Sequence, residues 1–164
     1  MNETYVEWLV KRKTPAYLTL LKMVFIMMTV CFFLAGLIFV PALLVALAMG
    51  VAAYFITMNA NLEYEYLYVD KELSVDKVMN KSKRKRVATF DIGKVEIMAP
   101  MKSHHLDSYQ NRNYKVVDYS SWTEKQPEVR YVFYYDGRQK VVFEPNEDMI
   151  KAIINVAPRK VFKD

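Results

Sequence analysis

Charge is missing from a long part of this chain. From Met23 to Met58 there is no Asp, Glu, Lys or Arg. Glycine is scarce too, with four in 164 residues, and two of these, Gly36 and Gly50, fall inside the uncharged block. A loop that cradles phosphate needs several glycines close together, which excludes a GxGxxG fingerprint and a P-loop. Gly93-Lys94 has Ala88 where a P-loop requires its first glycine, and no GxSxG occurs. The single cysteine, Cys31, also lies in the uncharged block. It rules out an intramolecular disulfide and a cysteine metal site, and it reads as a small apolar packing residue. Only two histidines are present, His104 and His105, and they are adjacent. Helical metal ligands want i, i+4 spacing, and neighbours on a strand point to opposite faces. The pair therefore reads as solvated, with His105 and Asp107 as a couple able to share a face. No metal and no cofactor is expected. The carboxylates Asp91, Asp107, Asp118 and Glu144 follow no paired spacing, so the chain is not expected to be an enzyme.

What is there begins with the apolar block. One helix from Ala16 to Met58 would be about 65 Å long at 1.5 Å per residue, against a hydrocarbon core about 30 Å thick. Pro41, shortly after Gly36, disrupts an interior helix. A two-helix transmembrane hairpin over residues 17–58 follows, with spans near Tyr17–Phe39 and Pro41–Met58. The run is too long for the apolar region of a cleaved signal peptide and continues beyond the small-x-small motif at Ala46-Leu47-Ala48. Lys11, Arg12, Lys13 and Lys22 flank the first span, and lysine-rich sequence follows the second. Two spans put both ends on one side, and the basic flanks make that side the cytoplasm. The expected location is the cell (inner) membrane. Tyr5, Trp8, Tyr17 and Tyr54 suit interfacial anchoring. Ala42, Ala46 and Gly50, four residues apart, form a small-residue face for helix packing. That face serves either the first span or a homodimer seam.

Residues 59–164 read as a cytoplasmic domain of strands closed by one helix, with residues 1–16 as an N-terminal cytoplasmic segment. LEYEYLYV (Leu62 to Val69) and ELSVDKVM (Glu72 to Met79) alternate as strands do, with Asp70-Lys71 as the turn. Further strands are expected near Arg86–Asp91, Lys94–Ala99 and Tyr114–Ser121. VRYVFYY, Asp136-Gly137 and KVVFE make the clearest hairpin, because Asp-Gly suits a tight primed turn. Met101 to Asn113 is the least regular stretch. PNEDMIKAIINVA (Pro145 to Ala157) is an amphipathic helix whose stripe is Met149, Ile150, Ile153, Ile154 and Ala157. The tyrosines 64, 66 and 68, and the trio Tyr131, Phe133 and Tyr135, suit cross-strand packing rather than a ligand wall. The fold class is thus a membrane α-helical hairpin plus an α+β soluble domain. That domain is an antiparallel β barrel or sandwich of about seven strands, capped by a C-terminal helix.

The order of a membrane hairpin, then YxYxxxxxELSV, a basic turn, RVATFDIGKVEIM and a final helix resembles the bacterial pleckstrin-homology-like membrane proteins over nearly the whole chain. KSKRKRVATFDIGKVEIMAP and VVFEPNEDMIKAIINVAPRKVF are also similar to an uncharacterised bacterial membrane family, one of the domains of unknown function. The resemblance implies a PH-like fold and carries no catalytic signature.

The formal charge is +5 and the isoelectric point about 9.1, and five of the seven residues from Asn80 to Arg86 are basic: Lys81, Lys83, Arg84, Lys85 and Arg86. Nucleic-acid surfaces interleave basic and aromatic residues. Here only Phe90 is near, and residues 59–164 are otherwise almost charge-balanced, so no nucleic acid is expected. Two antiparallel strands of about 26 Å each would carry the chain away from the bilayer and back, leaving this cluster next to it. The expectation is a membrane-anchored binding or scaffold module that touches anionic lipid headgroups through these five residues and a protein partner elsewhere. The alternative is a structural subunit of a membrane assembly, oligomerising through Ala42, Ala46 and Gly50.

Overall fold

A computed structural model describes residues 5–164. They form two compact units. One holds Lys13–Leu62 and Met79–Lys83; the other holds Glu63–Val78 and Arg84–Asp164 together with an N-terminal strand.

The first unit is a helical hairpin, α1 (Ala16–Gly36) and α2 (Ala42–Ala60). Both helices are long and apolar enough to cross a membrane. Their large side chains mostly point outward, Met27 being 64 % exposed, while Ala42, Ala46 and Ala53 are buried between the helices. The five-residue connection ends on Pro41, which precedes the first turn of α2 and so costs no helical hydrogen bond. Gly36 lies at a close approach, since a Cβ there would meet the Leu43 side chain, which would have to shift. Within the apolar helices, Thr29 and Thr57 satisfy their hydroxyls on the carbonyls of Phe25 and Ala53, both at 2.8 Å.

The second unit is built from eight strands in two four-stranded sheets. The first sheet runs β1 (Val6–Lys11), β2 (Leu62–Val69), β3 (Glu72–Met79), β4 (Lys83–Asp91). The second is ordered β5 (Val95–Pro100), β7 (Tyr131–Tyr135), β8 (Gln139–Phe143), β6 (Lys115–Asp118). Strand β6 runs parallel to β8, and β7 is antiparallel to both of its neighbours. Three turns place two consecutive residues at positive φ: Asp70-Lys71, Asn80-Lys81 and Asp136-Gly137. That is the geometry whose twist suits tight hairpins.

The tyrosines on one face of β2 point into the core. Tyr66 is fully buried and meets Phe143 edge-to-face, while Phe133 meets both Phe90 and Phe143 in the same way. Helix α3 (Glu147–Val156) starts at Asn146, whose side chain accepts from the Met149 N–H at 3.0 Å, and it buries Met149, Ile150, Ala152 and Ile153.

The architecture is PH-like: two sheets and a closing helix. Residues 59–164 supply the seven expected strands, β2 to β8, but these do not form a closed barrel and their pairing is not wholly antiparallel; an eighth strand joins them from outside that range. That strand, β1, lies in the segment read as a separate N-terminal stretch. Its residues pair antiparallel with β2, Trp8 opposite Tyr66 and Val10 opposite Tyr64.

Candidate functional site

The basic stretch divides at its middle. Its first part, Met79–Lys83, belongs to the helical unit. The Asn80 N–H donates to the Asn61 carbonyl at 2.8 Å, and Asn61 Nδ2 donates to Asn80 Oδ1 at 3.4 Å. Asn61 is the residue that closes α2. The turn is tightened by the Ser82 N–H donating to the Met79 carbonyl at 3.2 Å. Lys81 and Lys83 are therefore tied by backbone to the end of the second apolar helix, with exposed side chains.

Further along β4 the arginines are engaged in the sheet. Arg84 lies 2.8 Å from Glu65, and Arg86 Nε donates to Asp76 at 2.9 Å. Glu65 is 1 % exposed. Burial, together with its hydrogen bond to Glu7, pushes its carboxyl above the ordinary range against the pull of Arg84. Glu7 shifts the other way, held down by the hydrogen bonds from Tyr5, at 2.6 Å, and from Glu65. These arginines neutralise buried acids that the strand alternation of the sequence did not pair. Among the described residues, Lys81, Lys83 and Lys85 form no ion pair. The five basic residues thus divide into two arginines paired with acids and three exposed lysines.

The other candidates are structural. Tyr66 Oη donates to the Tyr119 carbonyl at 2.6 Å and accepts from the Glu144 N–H at 3.3 Å, so it pins a connection rather than lining a pocket. Asp118 accepts from Ser120 Oγ at 2.7 Å and from Trp122 Nε1 at 3.1 Å. Glu144 receives Lys125 and the Ser121 N–H. Burial would raise its pKa, but these donors outweigh that and hold it below the usual carboxylate range. Arg12 packs 3.2 Å over the Trp122 ring and donates to Tyr64 Oη at 2.8 Å. Gly50 faces Thr29, whose Cγ2 is 3.5 Å from where a Cβ would sit. Ala42 and Ala46 are buried, while Ala46 and Gly50 also line an outward-opening apolar groove of about 660 Å³. Cys31 is exposed on α1 rather than packed.

One cluster went unrecognised in the sequence. His104 and His105 open a 3₁₀ turn, His104–Tyr109, within the stretch read as the least regular. Adjacent rings can then converge, and theirs lie 4.1 Å apart between centroids. Asp164 joins them, the three ligand atoms all lying within 4.8 Å of one another. Nothing local in the sequence links positions 105 and 164.

No curated protein and no solved structure matches the chain. A family model does, over residues 2–163, under the description Bacterial PH-like domain (DUF6106). The match covers nearly the whole chain and agrees with the two sheets and closing helix described above, and the protein belongs to this family of bacterial PH-like domains.

Proposed function

We propose that this protein is a membrane-anchored, non-enzymatic binding module. Its hairpin crosses the cell membrane twice with both ends in the cytoplasm, and Lys81, Lys83 and Lys85 hold the protein against anionic headgroups. PH-like domains are in general binding modules without catalytic activity, which favours this class over an enzyme. The observation that carries the lipid reading is the bond from Asn80 to Asn61. It fixes a lysine-bearing turn at the very residue where an apolar, membrane-length helix stops. If α2 spans, that residue lies at the interface, and each lysine near an anionic leaflet contributes about 1 kcal/mol.

The test is hydrogen exchange of the full chain in nanodiscs. Amides from Met79 to Lys85 should exchange more slowly in discs containing anionic lipid than in neutral ones. The difference should vanish in about 1 M salt, where the screening length is about 3 Å, and in a chain with Lys81, Lys83 and Lys85 all changed to Gln. Equal exchange in both lipids would reduce the cluster to a topology signal.

A further inference from the structure

We propose that His104, His105 and Asp164 form a binding site for one divalent transition-metal ion of the zinc class. Their ligand atoms already lie within 4.8 Å of one another, and His105 Nε2 is 4.0 Å from Asp164 Oδ1. Bonds of about 2.0–2.2 Å to a tetrahedral ion place donor atoms about 3.3 Å apart. Closing the site therefore takes a shift of about 1.5 Å at most, shared among three side chains that are not buried.

The backbone beneath these side chains is held by contacts that owe nothing to a metal. In the 3₁₀ turn, Ser103 Oγ accepts from the His105 N–H at 3.3 Å, and Leu106 is buried among Ile97, Ala99, Val132 and Tyr134. The segment after α3 is laced to β5. The Met98 N–H donates to the Lys160 carbonyl at 2.7 Å, and the Phe162 N–H donates to the Met98 carbonyl at 2.8 Å. Phe162 packs on the same cluster, and the His105 ring stacks on it at 4.1 Å. Two segments far apart in sequence are thus set side by side by packing, and each brings ligands to one point.

The donor set selects the metal class. Two imidazoles and a carboxylate suit zinc, cobalt, nickel or copper, whereas calcium and magnesium take oxygen ligands. Three protein ligands leave the fourth position open to water or to a ligand supplied by another molecule. Asp107 is not among the groups whose ligand atoms converge, and its Oδ1 accepts from Gln110 Nε2 at 3.0 Å. A bound ion would staple the final segment to the 3₁₀ turn, and it would stabilise the fold by mass action because the unfolded chain does not hold the three groups together.

The experiment is a zinc titration of the metal-stripped, tag-free full chain in detergent micelles, followed by calorimetry, with cobalt absorption as a second signal. The expected result is one ion per chain and a melting transition that rises with zinc. His104→Gln and Asp164→Asn should each weaken binding at least about tenfold, as even the loss of an outer-shell partner does. Asp107→Asn should leave it unchanged. No saturable binding up to about 1 mM zinc, the weak end of the affinity scale, would overturn the proposal. So would binding that survives both variants, which would leave the trio as a ring stack on Phe162 with a distant carboxylate.

Discussion

The two units of this chain sort their side chains in opposite ways. In the β unit the large apolar groups lie inside: Tyr66, Phe133, Phe143 and Ile153 are at or near zero exposure. In the hairpin they lie outside, with Ile38, Leu44 and Met27 well exposed and alanines buried between the helices. One rule produces both. Apolar area is withdrawn from water wherever a non-aqueous neighbour exists. For the β unit that neighbour is the opposite sheet and α3. For a hairpin with no charge between Met23 and Met58, whose helices are long and apolar enough to span a membrane, the proposed neighbour is the hydrocarbon of a bilayer, where helices associate through small residues rather than large ones. The turn that bears Lys81 and Lys83 belongs, by its contacts, to the apolar helical unit.

Substitutions in the two units should then have opposite signatures. The largest effect is expected for Phe133→Ala, which removes a fully buried ring that packs edge-to-face on two others. It should cost about 3–5 kcal/mol in denaturant unfolding of the β unit. A loss below about 1 kcal/mol would mean that the two sheets do not pack as described. The hairpin counterpart is Met27→Asp, at an exposed site near the middle of α1. On a water-facing helix this change is almost neutral. On a lipid-facing one it should disfavour membrane integration by about 2.5–3.5 kcal/mol, read as the fraction integrated in a translocation assay. Unchanged integration would break the contrast between the units.

Much of this was legible in the sequence, and the parts that were not have physical reasons. The hairpin followed from uncharged length, and β2, β3, β7, β8 and α3 followed from alternation, turn residues and the stripe of α3. The strand β1 escaped because VEWLVK is six residues long and its pairing with β2 skips across the whole hairpin. The parallel pairing of β6 with β8 is a long-range fact that no local pattern encodes. The same limit applied to the site. Five basic residues within six positions look alike in a sequence, yet register across the sheet gives Arg84 to Glu65 and Arg86 to Asp76 and leaves the lysines. His104 and His105 were read as a solvated pair because adjacent residues fit neither helical nor strand ligand spacing, and the 3₁₀ turn they open brings them near Asp164.

The smallest expected effect sharpens the comparison from the polar side, at a buried acid of the β unit that is met by both a cation and an N–H. Glu144 is 4 % exposed and is reached by Lys125 and the Ser121 N–H. Its pKa in the folded protein is lower than in the unfolded chain, where a glutamate titrates near about 4.3. The stability it contributes is therefore present in full above that ordinary value and is lost as pH falls through the lower folded one. Lys125→Gln removes the partly exposed cation but leaves the Ser121 N–H in place. At neutral pH the cost should be about 1 kcal/mol or less. The sharper reading is the acid limb. With the cation gone, burial is less well opposed, the folded pKa of Glu144 rises, and the variant's deficit relative to the parent should shrink as both are acidified below about pH 4. A deficit that stays constant from pH 7 to about pH 3 would mean that Lys125 acts through its aliphatic stem and not through its charge on Glu144.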